Sequence, residues 1–204
     1  MKNFVDLVIE KAKQALEENR FQSVSHKWDH VYRVYRRVIK MANEIKGKGV
    51  DLEILKISAL LHDIDQPYNR KQSHVKRSLS KAEQILKEIG YPKEKIKKVL
   101  SIISEHSSED EKGPTSIEAK ILYDADKLDG VGAIGIARVF AFCGQNGLIP
   151  KEAIEWYRRK IEKALPKMQT KAGKEIVKEE LKYVYSFFEK FRKEENLLQG
   201  TNIK

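Results

Sequence analysis

A single all-α domain is the architecture this sequence predicts, on three observations. Apolar residues recur at helical spacing along almost the whole chain. No stretch alternates with the period of a strand, and the breaks carry helix caps, glycines or prolines. A first helix carries Val5, Val8, Ile9, Ala12 and Leu16. A second carries Val31, Val34, Val38, Met41 and Ile45 and ends near Gly47. Asp51 caps a third through Leu52, Leu55, Ala59 and Leu60. Ser73 caps a fourth, which stops at Gly90. Pro92 fits the first turn of a fifth with Ile96, Val99, Leu100 and Ile103. After Gly113-Pro114, Thr115 or Ser116 starts a sixth through Ile117, Ile121 and Leu122. Gly130, Gly132 and Gly135 then interrupt or tighten the backbone. The segment from Ile134 to Phe142 is apolar enough to be buried. A polar loop from Gln145 to Pro150 precedes two C-terminal helices (151–198) that Pro166 separates. The last carries Ile176, Leu181, Val184, Phe187, Phe188 and Phe191, with a frayed tail after Leu198.

The 204 residues suffice for one large domain with a sizeable core, spanning 1–204. No run of 18 apolar residues exists, so no membrane span is expected. The N-terminal segment Met1-Lys-Asn-Phe-Val-Asp6 lacks the features of a signal peptide. A lone cysteine, Cys143, reads as a buried small apolar residue and cannot form an internal disulfide; a cytoplasmic location follows as the default. The net charge of +10 comes from lysines scattered along helices and mixed with Glu, as in Lys93-Glu-Lys95. That pattern describes a solvated surface and speaks against a dedicated nucleic-acid groove. The aromatic-rich last helix leaves a homodimer open.

Chemistry concentrates in one region. All five histidines lie between positions 26 and 106, beside hydroxyl or acidic residues, and Asp124-Ala-Asp126-Lys-Leu-Asp129 follows. His30 stands one turn before Val34 at the edge of an apolar stripe. His62 and Asp63 end an apolar helix and share one ion only if it sits near that helix end. Asp126 lies beside Leu122, Ala125 and Leu128, and burying carboxylates at 124, 126 and 129 without a cation is costly. His30, His62, Asp63 and Asp126 together supply two nitrogen and two oxygen ligands from three helices. This set suits a divalent Mn, Fe, Co, Ni or Zn ion, and Mg less comfortably.

These residues carry a resemblance. Ser25-His-Lys-Trp-Asp-His-Val-Tyr-Arg-Val34, Ala59-Leu-Leu-His-Asp-Ile64 and Asp124-Ala-Asp-Lys-Leu-Asp-Gly-Val-Gly-Ala-Ile-Gly-Ile-Ala-Arg138 occur in order. The series resembles the HD-domain superfamily of metal-dependent phosphohydrolases, across most of the chain. Its long final motif, with Glu105-His-Ser-Ser108 upstream, resembles a subgroup of small bacterial and archaeal HD hydrolases. The resemblance selects His30 over His26 as the first ligand and Asp126 as the last. It implies an all-helical HD fold with the metal site between helices, and hydrolysis of phosphoester or phosphoanhydride bonds.

The expected function is nucleotide phosphohydrolysis by a metal-activated water, with a phosphorylated small molecule as partner. A cyclic-nucleotide or nucleic-acid phosphodiesterase and a non-catalytic nucleotide-binding regulatory module are the alternatives. Asp63 is expected to orient or deprotonate the water besides binding metal. His74 and His106 face substrate, hold a second metal, or are structural; the catalytic role is the one adopted. Arg77 (with Lys81, on the face of His74), Lys127, Arg138 and Lys171 are the candidate substrate contacts. Lys127 can equally be a structural ion pair, and Thr170 can cap the last helix. His26 is expected to orient the first motif through a hydrogen bond or to cap the helix, and Asp129 to hold a ligand histidine or waters.

Overall fold

The computed structural model describes residues 3–45, 49–68, 73–107 and 113–200; the expected helix end near Gly47 and the last residue of the Glu105–Ser108 motif lie outside these. The described residues form α1 (Phe4–Glu18), α2 (Trp28–Glu44), α3 (Leu52–Leu61), α4 (His74–Glu88) and α5 (Lys93–Ser104). They continue as α6 (Ile117–Leu128), α7 (Gly132–Gln145), α8 (Pro150–Ala164) and α9 (Lys171–Gly200). Short 3-10 turns occupy Val24–His26 and Leu165–Lys167, and among the described residues there is no strand. The all-α expectation is met.

The local signals explain the boundaries. Side chains of Asn3, Asp51 and Ser116 accept from backbone N–H groups three residues on, satisfying donors that a helix start leaves open. α4 closes on Gly90 at φ +70°, with Tyr91 N–H on Leu86 O and Gly90 N–H on Lys87 O. Ser73 precedes α4 without a side-chain cap, and Pro92 sits just before the first turn of α5.

α3 is the centre of the larger apolar cluster. Ile54, Leu55 and the unbroken run from Ile57 to Leu61 are all buried, so this helix is apolar around its circumference and packs against α1, α2, α5 and α6. Its C-terminal end therefore delivers the next two residues, His62 and Asp63, into the interior. A second apolar cluster, with Val139, Cys143, Tyr157, Ile161, Val184 and Phe188, joins α7, α8 and α9. Leu181 packs against both clusters.

One expectation is corrected. Only one face of α7 is buried, through Gly135, Val139 and Cys143, where it packs on α8, α9 and the 3-10 turn Val24–His26, while Ile134 faces away and is 48% exposed. The last helix is described to Gly200, and the rest of the expected tail lies outside the described residues; surface pairs such as Lys190–Glu194 support the helix. Among the described residues no single helix is long and apolar enough to cross a membrane.

Candidate metal centre

Three helices converge on one point. His30 lies in the first turn of α2, His62 and Asp63 follow the last turn of α3, and Asp126 lies in the last turn of α6. One ligand atom from each falls within 4.8 Å of the others. His30 Nε2 is 3.5 Å from Asp63 Oδ2 and 3.6 Å from Asp126 Oδ1; His62 Nε2 is 3.4 Å and 3.8 Å from the same oxygens.

Hydrogen bonding behind the rings fixes what they present. His62 Nδ1 is 2.8 Å from the Ala59 carbonyl and His30 Nδ1 is 2.8 Å from Asp129 Oδ2. Both partners are acceptors, so Nδ1 carries the hydrogen and each Nε2 turns a lone pair towards the carboxylates. Both Nε2 atoms are buried and without a hydrogen-bond partner. Lone pairs facing carboxylates repel unless a proton or a cation lies between them. Two imidazole nitrogens and two carboxylate oxygens thus fit a divalent metal ion, and the site can hold one.

The charges around the point agree. Burial favours a neutral Asp63, yet His62, His106 and His30 outweigh it and hold the carboxyl well below its ordinary range. Burial likewise opposes the Asp126 charge, but Lys127 and His62 hold that carboxyl well down. Burial works against a charged His62, and Asp63 and Asp126 overcome it, so its pKa is raised. The site demands positive charge.

Asp129 backs His30 from behind. It also accepts from Arg33 Nε at 2.9 Å and pairs with Arg138 Nη1 at 3.0 Å, and its pKa falls to about 2, since burial is outweighed by His30 and Arg33. His26 Nδ1 lies 2.9 Å from Ser25 Oγ, and its Nε2 lies 4.0 Å from Asp63. Burial holds the His26 pKa well below its ordinary value. His106 Nε2 faces Asp63 Oδ1 at 3.3 Å, and the His74 ring is 5.6 Å from that of His106. Asp63, His74 and His106 form a second group with metal-ligand spacing. Lys127 Nζ pairs with the outer oxygen of Asp126 at 2.7 Å, and Arg138 donates to the Ser25 and Asp129 carbonyls.

Other candidates lie elsewhere. Arg77 pairs with Asp65 at 2.6 Å and, with Lys81, lines a separate cavity of about 430 Å³ against α1. His74, at the start of the same helix, lines the cleft of the metal point, whereas Arg77 and Lys81 do not. Lys171 is a surface residue, its side chain 92% exposed and near Glu175. Asp124 does not face the metal point either. It accepts from the Gln169 and Thr170 N–H groups and from Thr170 Oγ1, anchoring the start of α9, while Thr170 Oγ1 also caps Gly173 N–H.

The centre opens on a cleft of about 530 Å³. Its far wall is α8, where Trp156, Arg159, Lys160 and Lys163 share one face, and the sequence reading missed all four. The signal was present as Trp, Arg, Lys and Lys at i, i+3, i+4 and i+7. Buried Gln22 was also missed. Its amide donates to the His26 and Asp63 carbonyls and so ties the first motif to the dyad.

The HD domain family model matches residues 28–130. The chain is 32% identical over 181 residues to the uncharacterized protein YpgQ of Bacillus subtilis, covering 85% of this chain and 86% of YpgQ. The crystal structure of YpgQ in complex with ADP superimposes with a TM-score of 0.71 at 25% identity over that longer alignment, covering 93% of this chain and 97% of the other. An HD-superfamily hydrolase from Bacillus thuringiensis gives a TM-score of 0.71 at 30% identity, covering 94% and 96%. With the His-Asp centre of α2, α3 and α6 inside the matched span, the chain belongs to the HD-domain superfamily of hydrolases.

Proposed function

We propose that this protein is a metal-dependent phosphohydrolase acting on a nucleotide phosphoester or phosphoanhydride bond. The observation that carries the reading is the pair of buried, unpartnered Nε2 atoms of His30 and His62 aimed at Asp63 and Asp126 beside a cationic cleft. The ADP complex of YpgQ supports a nucleotide as ligand.

His30, His62, Asp63 and Asp126 would hold a divalent ion, which would supply Lewis acidity and a water made nucleophilic near neutral pH. The protein's own groups do the rest by position. Asp63 turns one oxygen towards the two histidine ligands and the other towards His106. That arrangement supports a role for Asp63 in orienting the attacking water and taking its proton, with His106 next in line. His74, beside His106, faces the same cleft and stands ready to protonate a leaving oxygen. Lys127 and Arg138 keep the floor positive where charge spreads over the phosphoryl oxygens.

The test is product-resolved turnover. Mn²⁺-loaded protein is incubated with nucleoside mono-, di- and triphosphates and cyclic nucleotides, beside His62→Ala and Asp63→Ala. Release of phosphate or pyrophosphate by the native chain alone is expected. No release with Mn²⁺, Co²⁺, Ni²⁺, Zn²⁺ or Mg²⁺, with metal still bound, overturns the reading.

A further inference from the structure

The family model ends at residue 130, yet the cleft over the centre is closed by a helix 20 residues further on. Along α8 the face turned to the cleft carries Trp156, Arg159, Lys160 and Lys163. Tyr157 fixes the height of this wall, since its hydroxyl donates to the Gly130 carbonyl at 2.8 Å, one residue beyond Asp129. Gly135 permits that approach, because a Cβ there would stand 2.9 Å from the same hydroxyl and overlap the Gly130 carbonyl.

The cations divide into two kinds. Lys127 and Arg138, on the floor, are already engaged by Asp126, Asp129 and backbone carbonyls. Among the described residues, Arg159, Lys160 and Lys163 pair with no carboxylate, and Lys160 only rests its ammonium over the Trp156 ring at 5.0 Å. Trp156 in turn packs on Phe142, ring centres 5.3 Å apart, so the wall ends in an apolar, aromatic corner. Lys160 is solvent-accessible because the cleft is open, yet protein surrounds it on most sides. That desolvation, with Arg138 and Lys127 nearby, pushes its pKa down to about 8. An unneutralised ammonium so placed lacks an anion.

We propose that the α8 wall is the specificity-determining subsite of this enzyme, in which Lys160 binds a phosphate group away from the attacked phosphorus and Trp156 with Phe142 packs on a planar ring. The inference rests on the nucleotide reading above and adds where selectivity resides. Reaction chemistry belongs to the HD core, while the choice of substrate belongs to the C-terminal helices. A nucleotide fits both halves of the wall, whereas a phosphosugar leaves the aromatic corner unused and a nucleoside leaves Lys160 unpaired.

Equilibrium titration separates the parts without relying on turnover. ADP, AMP, adenosine and inorganic tripolyphosphate are titrated into Mn²⁺-loaded native protein, Lys160→Met, Lys160→Arg and Trp156→Leu. Lys160→Met is expected to weaken ADP and tripolyphosphate about tenfold and adenosine hardly at all, with Lys160→Arg restoring most of the loss. Trp156→Leu is expected to weaken ADP and adenosine while leaving tripolyphosphate unchanged. Lys160 is exposed, so its variants keep the native melting temperature and metal content. Equal ADP affinity in native protein and Lys160→Met, or no ADP binding at all, overturns the wall. Lys160-dependent ADP binding without nucleotide turnover sustains the wall and overturns only the proposed reaction.

Discussion

Replacing Asp129 by Asn tests how the centre is held together. The carboxylate is buried and accepts from His30 Nδ1 at 2.8 Å and Arg33 Nε at 2.9 Å, with Arg138 Nη1 at 3.0 Å. Its pKa of about 2 lies nearly two units below an ordinary carboxyl, which corresponds to about 2–3 kcal/mol in favour of the charged, folded form. The folded pKa is depressed, so this stabilisation is present above about pH 4 and is lost as pH falls through about 2. Asn keeps an acceptor for His30 but no charge for the guanidinium groups. The expected loss is therefore about 2 kcal/mol in urea unfolding of metal-free protein at pH 7. A second effect concerns the metal, because the carboxylate behind His30 sets that ring's orientation and basicity. Mn²⁺ affinity measured by calorimetry on folded protein should fall by about 10- to 100-fold. The reasoning is refuted if Asp129→Asn binds Mn²⁺ within threefold of the native chain, or unfolds at the same urea concentration.

Three further outcomes follow from the same geometry. Asp124→Ala leaves three donors at the start of α9 without their acceptor, so it should destabilise by about 2–4 kcal/mol with Mn²⁺ affinity unchanged; chemical denaturation and metal titration on one sample decide it. Gly135→Ala forces its Cβ against the Gly130 carbonyl and the Tyr157 hydroxyl and should cost about 1–3 kcal/mol, read as a lower melting temperature. Bound anion raises the Lys160 pKa, so ADP affinity should hold below about pH 8 and decline above it. The neighbouring Lys127 is held protonated by Asp126, and Asp126 and Asp63 are held ionised, so Lys160→Arg should flatten the decline between pH 7.5 and pH 9.5, on about a tenfold scale.

Much of this molecule was written locally. Asp51 and Ser116 announced helix starts because a side-chain oxygen three residues before an open N–H satisfies it without help from elsewhere. The candidate ligands were legible for a related reason: a chain does not place His62-Asp63 after an apolar helix, or Asp126 among Leu122, Ala125 and Leu128, unless something offsets the burial. The same argument misjudged Asp124, because a carboxylate can be satisfied by three N–H and O–H donors as well as by a cation. Sequence spacing did not show that the donors arrive 45 residues later. Arg77 was placed on the right helix but the wrong side of the fold, since i+3 neighbours share a face only approximately and Asp65 captures the guanidinium across the chain. Lys171 opens α9 with its side chain in solvent, away from the cleft. Periodicity and local caps determined the helices, because those depend on neighbours within a few residues, and the ordered motifs, through the family they resemble, singled out the four residues facing the metal point. The cleft was decided only by tertiary structure: the apolar cluster of α7, α8 and α9 and the Tyr157 hydroxyl on the Gly130 carbonyl set α8 over the centre, and contacts between distant segments do not follow from the spacing within α8.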